Sequence, residues 1–273
     1  MVITASTPRR GSLFRTIRIA ILLIILVLVG GSAWLTKVRT TSWSQPLRVA
    51  IFPIAADDRK QTHAYIAQLN ADTFAPIAMF MAREARRYGL TLTTPVEVYL
   101  APQIYQPPPP PPFGGNPIQV ILWSLQIRFW AWVHADFNRP PPHVRMFVLY
   151  YDPVTSQRIA HSLGLQKGLI GVVNAYSASY QTAENNVVIA HELLHTVGAT
   201  DKYDPDSNEP LFPEGYAEPE RTPLLPQHYA EIMAGRFPST KDDEALMPGL
   251  LDEVMIGAKT AREINWVRDV KPQ

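Results

Sequence analysis

The chain has no cysteine among its 273 residues. That excludes disulfides, a lipoprotein-type lipid anchor and thiolate metal sites, so any metal must be held by histidine and carboxylate. Net charge is equally sparse. The 25 basic and 24 acidic residues leave +1 at pH 7, which gives no electrostatic footing for nucleic acid as a partner. Internal repeats are not apparent. Proline, by contrast, is abundant at 26 residues, and long irregular connections are expected from it. A chain of this length can bury one substantial core, with appendages.

The first appendage is N-terminal. Arg9, Arg10, Arg15 and Arg18 precede an uncharged run from Ile19 to Leu35. As a helix the run reaches roughly 25 Å, the short end of a membrane span. It is apolar on every face, which fits a buried soluble helix poorly. Residues 1–18 therefore read as a cytoplasmic basic tail, 19–38 as a transmembrane signal-anchor and 39–46 as a linker. Residues 47–273 then form a domain outside the cytoplasmic membrane. The competing reading is a signal peptide cleaved after Ala33, which would make the protein secreted.

Within the domain, residues 47–52 are rich in β-formers and end at Pro53, consistent with a first strand. From Asp58 to Tyr88 the pattern is helical, with Phe74, Ile77, Met81, Ala85 and Tyr88 on one stripe. Arg83, Glu84, Arg86 and Arg87 fall on the other side. Pro76 can begin a helix but is not expected within one. Residues 96–100 alternate as a second strand. The proline run 107–112 reads as a stiff polyproline loop or as a ligand for a proline-recognising domain. Residues 117–135 read as an amphipathic helix with Trp123, Phe129, Trp130 and Trp132 in the core. Strands are expected at 144–150 and 168–174, then a helix from about Glu184. This order describes an α+β fold, an α/β sandwich with one sheet packed on two or more helices.

That last helix carries His191-Glu192-Leu193-Leu194-His195, an HExxH pattern. Residues four apart share a helix face, so both imidazoles can point at one zinc ion. Glu192 stands about 100° round, close enough to reach a water at the metal without ligating it. Gly198 can adopt the left-handed conformation that ends a helix and lets Asp201 swing back. Two imidazoles and one carboxylate leave the fourth tetrahedral position open, as a catalytic zinc requires.

His191-Glu192-x-x-His195-x-x-Gly198-x-x-Asp201 resembles the zinc-binding signature of metzincin peptidases, in the form where aspartate replaces the third histidine. Residues 198–204, GATDKYD, are similar to the corresponding segments of snapalysin-like and immune inhibitor A-like peptidases. The likeness covers residues 187–234. It implies a metzincin-like mixed sheet packed on helices and one catalytic Zn2+ held by His191, His195 and Asp201. It further implies an endopeptidase in which Glu192 is the general base, with a protein or peptide as substrate. Metzincins also carry a methionine turn beneath the zinc; Met233 is the best match and Met247 a weaker one. Gly235, not a tyrosine, stands two residues after Met233, so that turn offers no fifth ligand. Residues 168–174 stand where metzincins have a substrate-binding edge strand, although an interior strand is the alternative.

Two other functions compete. A gluzincin-type peptidase would take its third ligand from Glu214, Glu218 or Glu220, but the prolines within 204–226 argue against the helix it needs. A non-catalytic envelope protein with a zinc-stabilised fold would bind a partner through the proline-rich loop. Asp204, Asp206 and Glu209 could hold calcium, yet their spacing is not that of an EF-hand and an acidic turn is favoured. Tyr203 is either a hydrogen-bond donor near the site or a packed loop residue. His63, His134, His143, His161 and His228 show no ligand spacing.

Overall fold

The computed structural model describes residues 41–267 except 113–115, 136–140, 158–161 and 241–244, together with a few positions between 15 and 23. The segment 19–38, read above as a membrane anchor, lies outside the described residues apart from Ile19, Ala20 and Leu23. Among the described residues no helix is long and apolar enough to cross a membrane. The chain divides into Met1–Thr40 and a second unit, Thr41–Gln273. It takes in residues that read as linker. Trp43 is buried, donates from Nε1 to the Ile264 carbonyl at 2.6 Å, and meets Trp266 edge-on at 5.6 Å.

β1 (Leu47–Ala55) is buried along most of its length, the pattern of a central strand covered on both faces. It pairs in parallel with β2 (Val96–Leu100) on one flank and β3 (Val144–Tyr151) on the other. β5 (Ile170–Tyr176) lies parallel beyond β3, and the short β4 (Leu163–Leu165) closes that edge antiparallel. The order is β2-β1-β3-β5-β4. β1 continues through Pro53 rather than ending there. The Pro53 carbonyl points to the β2 flank, where it accepts from the Ile104 N–H at 3.0 Å. β2 has already ended beside Ile51, so the ladder loses no donor to the proline.

Alternation along the strands feeds two cores. Val49, Ile51, Val144, Met146, Val148 and Tyr150 face α1 (Lys60–Ile66), α2 (Ala71–Arg87) and α4 (Thr182–Val197). Ala50, Phe52, Ile54, Phe147 and Leu149 face α3 (Pro117–His134). The result is a mixed α/β fold with one five-stranded sheet and helices on both faces.

The helix expected over 58–88 is two helices. Asn70 opens the second with a reciprocal cap, its side chain accepting from the Thr73 N–H at 3.1 Å while Thr73 Oγ1 accepts from the Asn70 N–H at 3.2 Å. The cap starts α2 at Ala71, so Pro76 lies inside the helix rather than at its beginning. The predicted stripe is the buried face. Glu84, expected on the solvated side, is buried as well: it accepts from the Ile256 N–H at 2.9 Å and is paired by Arg83 and Arg87. α3 departs further from expectation. Trp123 is buried, but Phe129 is 65% exposed and Trp132 78% exposed. The inward face of α3 is filled by Trp123, Ile127 and Ala131, and helical spacing sends Phe129 and Trp132 elsewhere. The proline run lies along this helix, with the Trp123 Nε1 donating to the Pro109 carbonyl at 2.9 Å.

Candidate metal centre

The inner side of α4, formed by Val187, Ile189, Ala190, Leu193, Leu194 and Val197, is buried in the core. That leaves His191 and His195, four residues apart, on the side facing a cleft. Gly198 ends the helix at φ +114, a conformation that side chains resist. Its N–H returns to the His195 carbonyl at 3.1 Å, and the Ala199 N–H to that of Leu194 at 3.1 Å.

The chain then turns back. Asp201 Oδ1 lies 3.2 Å from His191 Nε2 and 3.1 Å from His195 Nε2, and the two Nε2 atoms are 3.1 Å apart. Each imidazole is fixed at its other nitrogen. His191 Nδ1 is 2.8 Å from the Ile232 carbonyl, and His195 Nδ1 is 2.9 Å from that of Ala199. A carbonyl only accepts, so in the neutral rings each Nδ1 carries the hydrogen and each Nε2 presents a lone pair. Three lone-pair atoms facing one another at this range need a proton or a metal ion among them. Ligands at about 2.0–2.1 Å from a tetrahedral zinc stand about 3.3 Å apart, close to the triangle found. His191, Glu192 and His195 also offer atoms within 4.8 Å of one another, which makes Glu192 a rival third ligand. The shorter contacts belong to Asp201, and they favour it.

Charge at the site follows the same logic. Burial would depress the His191 pKa, but the Asp201 carboxylate, Glu192 and the Ile232 carbonyl outweigh it and carry it up to about 9. Burial would raise Asp201, yet His191 and His195 hold its carboxyl well below the usual carboxylate range. Glu192 is pushed up by burial, with both imidazoles pulling the other way. Its Oε2 is buried without a hydrogen-bond partner, a costly arrangement for a carboxylate unless it has work at the site.

β4 forms one wall. A Cβ at Gly164 would meet the Glu192 carbonyl oxygen and the His195 Cβ at 2.5 Å each, so glycine is what allows the edge strand to cross α4 so closely. Residues 168–174 are not the edge. β5 has β3 on one flank and β4 on the other, and β4 is too short to announce itself by periodicity. The cleft measures about 720 Å³ and is also lined by Asn174, Tyr176, Tyr203, Arg236 and Met247.

A second layer holds the first. β6 (Ala230–Glu231) pairs in parallel with β7 (Val254–Met255), and α5 (Ala258–Glu263) follows. The buried Glu231 carboxylate accepts from the N–H groups of Met233 (2.6 Å), Ala234 (3.0 Å) and Gly257 (2.9 Å), and from Thr260 Oγ1 (2.7 Å). It thereby shapes the turn whose Ile232 carbonyl fixes His191. Met233 in that turn is fully buried in the core and does not line the cleft; Met247 does. Lys202 clamps the other side of Asp201. Its Nζ donates to the Thr200 carbonyl at 2.6 Å and to Glu263 Oε2 at 2.8 Å, and its N–H to the Met233 carbonyl at 2.9 Å. Sequence reasoning passed over Gly164, Lys202, Glu231 and Glu263. Only Lys202, beside Asp201, carried a local signal.

Glu214, Glu218 and Glu220 are not brought to the cleft. Glu218 is engaged by the His228 N–H at 2.7 Å and the His228 ring at 3.1 Å. Asp204 accepts from the N–H groups of Asp206 (3.0 Å) and Ser207 (2.9 Å), and so caps its own turn. His63 lies against Asp58 and Gln103, His134 against the Trp130 carbonyl, and His143 against Arg48. His161 lies outside the described residues. No protein-family model and no curated protein matches this chain.

Proposed function

We propose that the chain is a zinc-dependent endopeptidase of metzincin type, anchored by residues 19–38 with its domain outside the cytoplasmic membrane. The observation that carries the reading is the triangle of His191 Nε2, His195 Nε2 and Asp201 Oδ1, with the unpartnered Glu192 Oε2 beside it. His191, His195 and Asp201 would hold the metal. When bound, zinc lowers the pKa of a coordinated water from about 15.7 to about 7 and polarises a carbonyl.

The chain's own groups do the rest. The free edge of β4 offers backbone donors and acceptors to an extended peptide, which fixes the scissile bond along the cleft. Glu192 Oε2 takes a proton from the attacking water and delivers it to the leaving amide nitrogen. Burial, which raises the Glu192 pKa, suits it to both halves of that transfer. Tyr203, whose pKa burial and the nearby carboxylates raise, stays a neutral donor at the cleft. The test is cleavage of an unfolded protein by the purified full chain before chelation, after it, and after zinc is restored. Loss and recovery of cleavage are expected; cleavage indifferent to chelation would overturn the proposal.

A further inference from the structure

α3 has two apolar faces, and the sheet uses one. Trp123, Ile127 and Ala131 point inward. Ile118, Ile121, Leu122, Leu125, Phe129, Trp132 and Val133 are exposed and recur at helical spacing, so they form a continuous outer stripe. The stripe contains no charged residue. Large contiguous apolar surfaces of this kind mark interaction sites on folded domains.

Connectivity says which surface is near. The uncharged run ends at Leu35, and the buried core of the domain already includes Trp43. The intervening residues span at most roughly 25 Å when fully extended. The same end of the domain carries the aromatic end of α3. β2 and β3 both run parallel to β1, so the helix joining them runs the opposite way. Its last turn, with Trp132 and Val133, therefore returns to the end of the sheet where β1 begins at Leu47. Tryptophan and phenylalanine there suit the boundary between headgroups and acyl chains.

We propose that the outer stripe of α3 lies in the surface of the lipid bilayer into which residues 19–38 insert, holding the domain on the membrane by one face. The inference rests on the anchored part of the proposed function and not on catalysis. Because the chain has no cysteine, Leu125→Cys in the full-length protein accepts a single environment-sensitive fluorophore. Met79→Cys on α2, where Met79 is 70% exposed, serves as the control position. Both labelled proteins are placed in phosphatidylcholine–phosphatidylglycerol nanodiscs with and without brominated acyl chains. Contact with lipid predicts about a twofold or greater loss of emission at position 125 and none at 79. Ile121→Cys should repeat the result and guards against a folding defect in one variant. A nanodisc-bound chain whose emission at 125 and 121 ignores the bromines overturns the docking. A bismaleimide crosslink between unlabelled Leu125→Cys chains in that case identifies a second copy as the occupant instead. A chain that fails to co-elute with nanodiscs overturns the anchor, and the docking with it.

Discussion

A proton and a metal ion compete for His191. In the metal-free site its pKa is raised to about 9 by the balance of burial against Asp201, Glu192 and the Ile232 carbonyl, so at pH 7.5 the ring is protonated. Zinc requires the neutral imidazole. The ring should therefore release about one proton on loading at pH 7.5 and almost none at pH 10, beside any proton lost by the coordinated water. Titration calorimetry in buffers of different ionisation enthalpy reads this number, and proton release unchanged between the two pH values would contradict the geometry. A pKa raised on folding gives the metal-free protein stability that is full below pH 6.5 and lost as pH rises through about 9. Tyr203 is a second single-residue test. If its hydroxyl donates at the cleft, Tyr203→Phe should lower kcat about tenfold with KM little changed; an unaltered kcat would return it to a packing role.

At the scale of elements, the site depends on three segments meeting: α4, the turn after Gly198 and the turn held by Glu231. Gly164→Ala should disturb the meeting from the β4 side. The added carbon strikes backbone at 2.5 Å, so strand and helix must part, at a cost of about 1–3 kcal/mol. Thermal unfolding reads the loss, and an unchanged midpoint would show that β4 yields freely. Glu84→Ala tests the remote support. It strips the Ile256 N–H of its acceptor and leaves Arg87 without its carboxylate, while Arg83 keeps Asp252 at 2.9 Å. Those arginines are 40% and 37% exposed, so solvent screens part of the effect and about 2 kcal/mol is expected. Denaturant unfolding measures it.

The parts of this arrangement that repeat with a helical or strand period were legible beforehand. The stripe Phe74–Ile77–Met81–Ala85, the strand at β3, the motif helix and its Gly198 terminus all lie where local spacing puts them. Asp201 could be read because it is only six residues from His195. The supports could not. Glu263 reaches Lys202 across 61 residues and Glu84 reaches Ile256 across 172, and no local pattern encodes such pairings. The exposure of Phe129 and Trp132 was also hidden, because a helix apolar on both faces has the same spacing signal whether one face or two are covered.

At the scale of the whole molecule, a metal that binds the folded chain and not the unfolded one should stabilise the fold. Zinc at about 100 times its dissociation constant adds about 2.7 kcal/mol to folding if the unfolded chain does not bind it. Chelation should lower the unfolding midpoint accordingly, and a midpoint indifferent to chelator would argue that no metal is bound. The Asp201→Ala variant should lose most of its zinc affinity; zinc retained in full would move the third ligand to another carboxylate. The most direct measurement remains Glu192→Gln, assayed for bound zinc and for cleavage of an unfolded protein beside the unaltered chain. Zinc content should be unchanged, because His191, His195 and Asp201 are intact, while cleavage should fall about 10²–10⁴-fold for loss of the general base. Equal cleavage by the two proteins would contradict the assignment of Glu192 and, with it, the proposed peptidase chemistry.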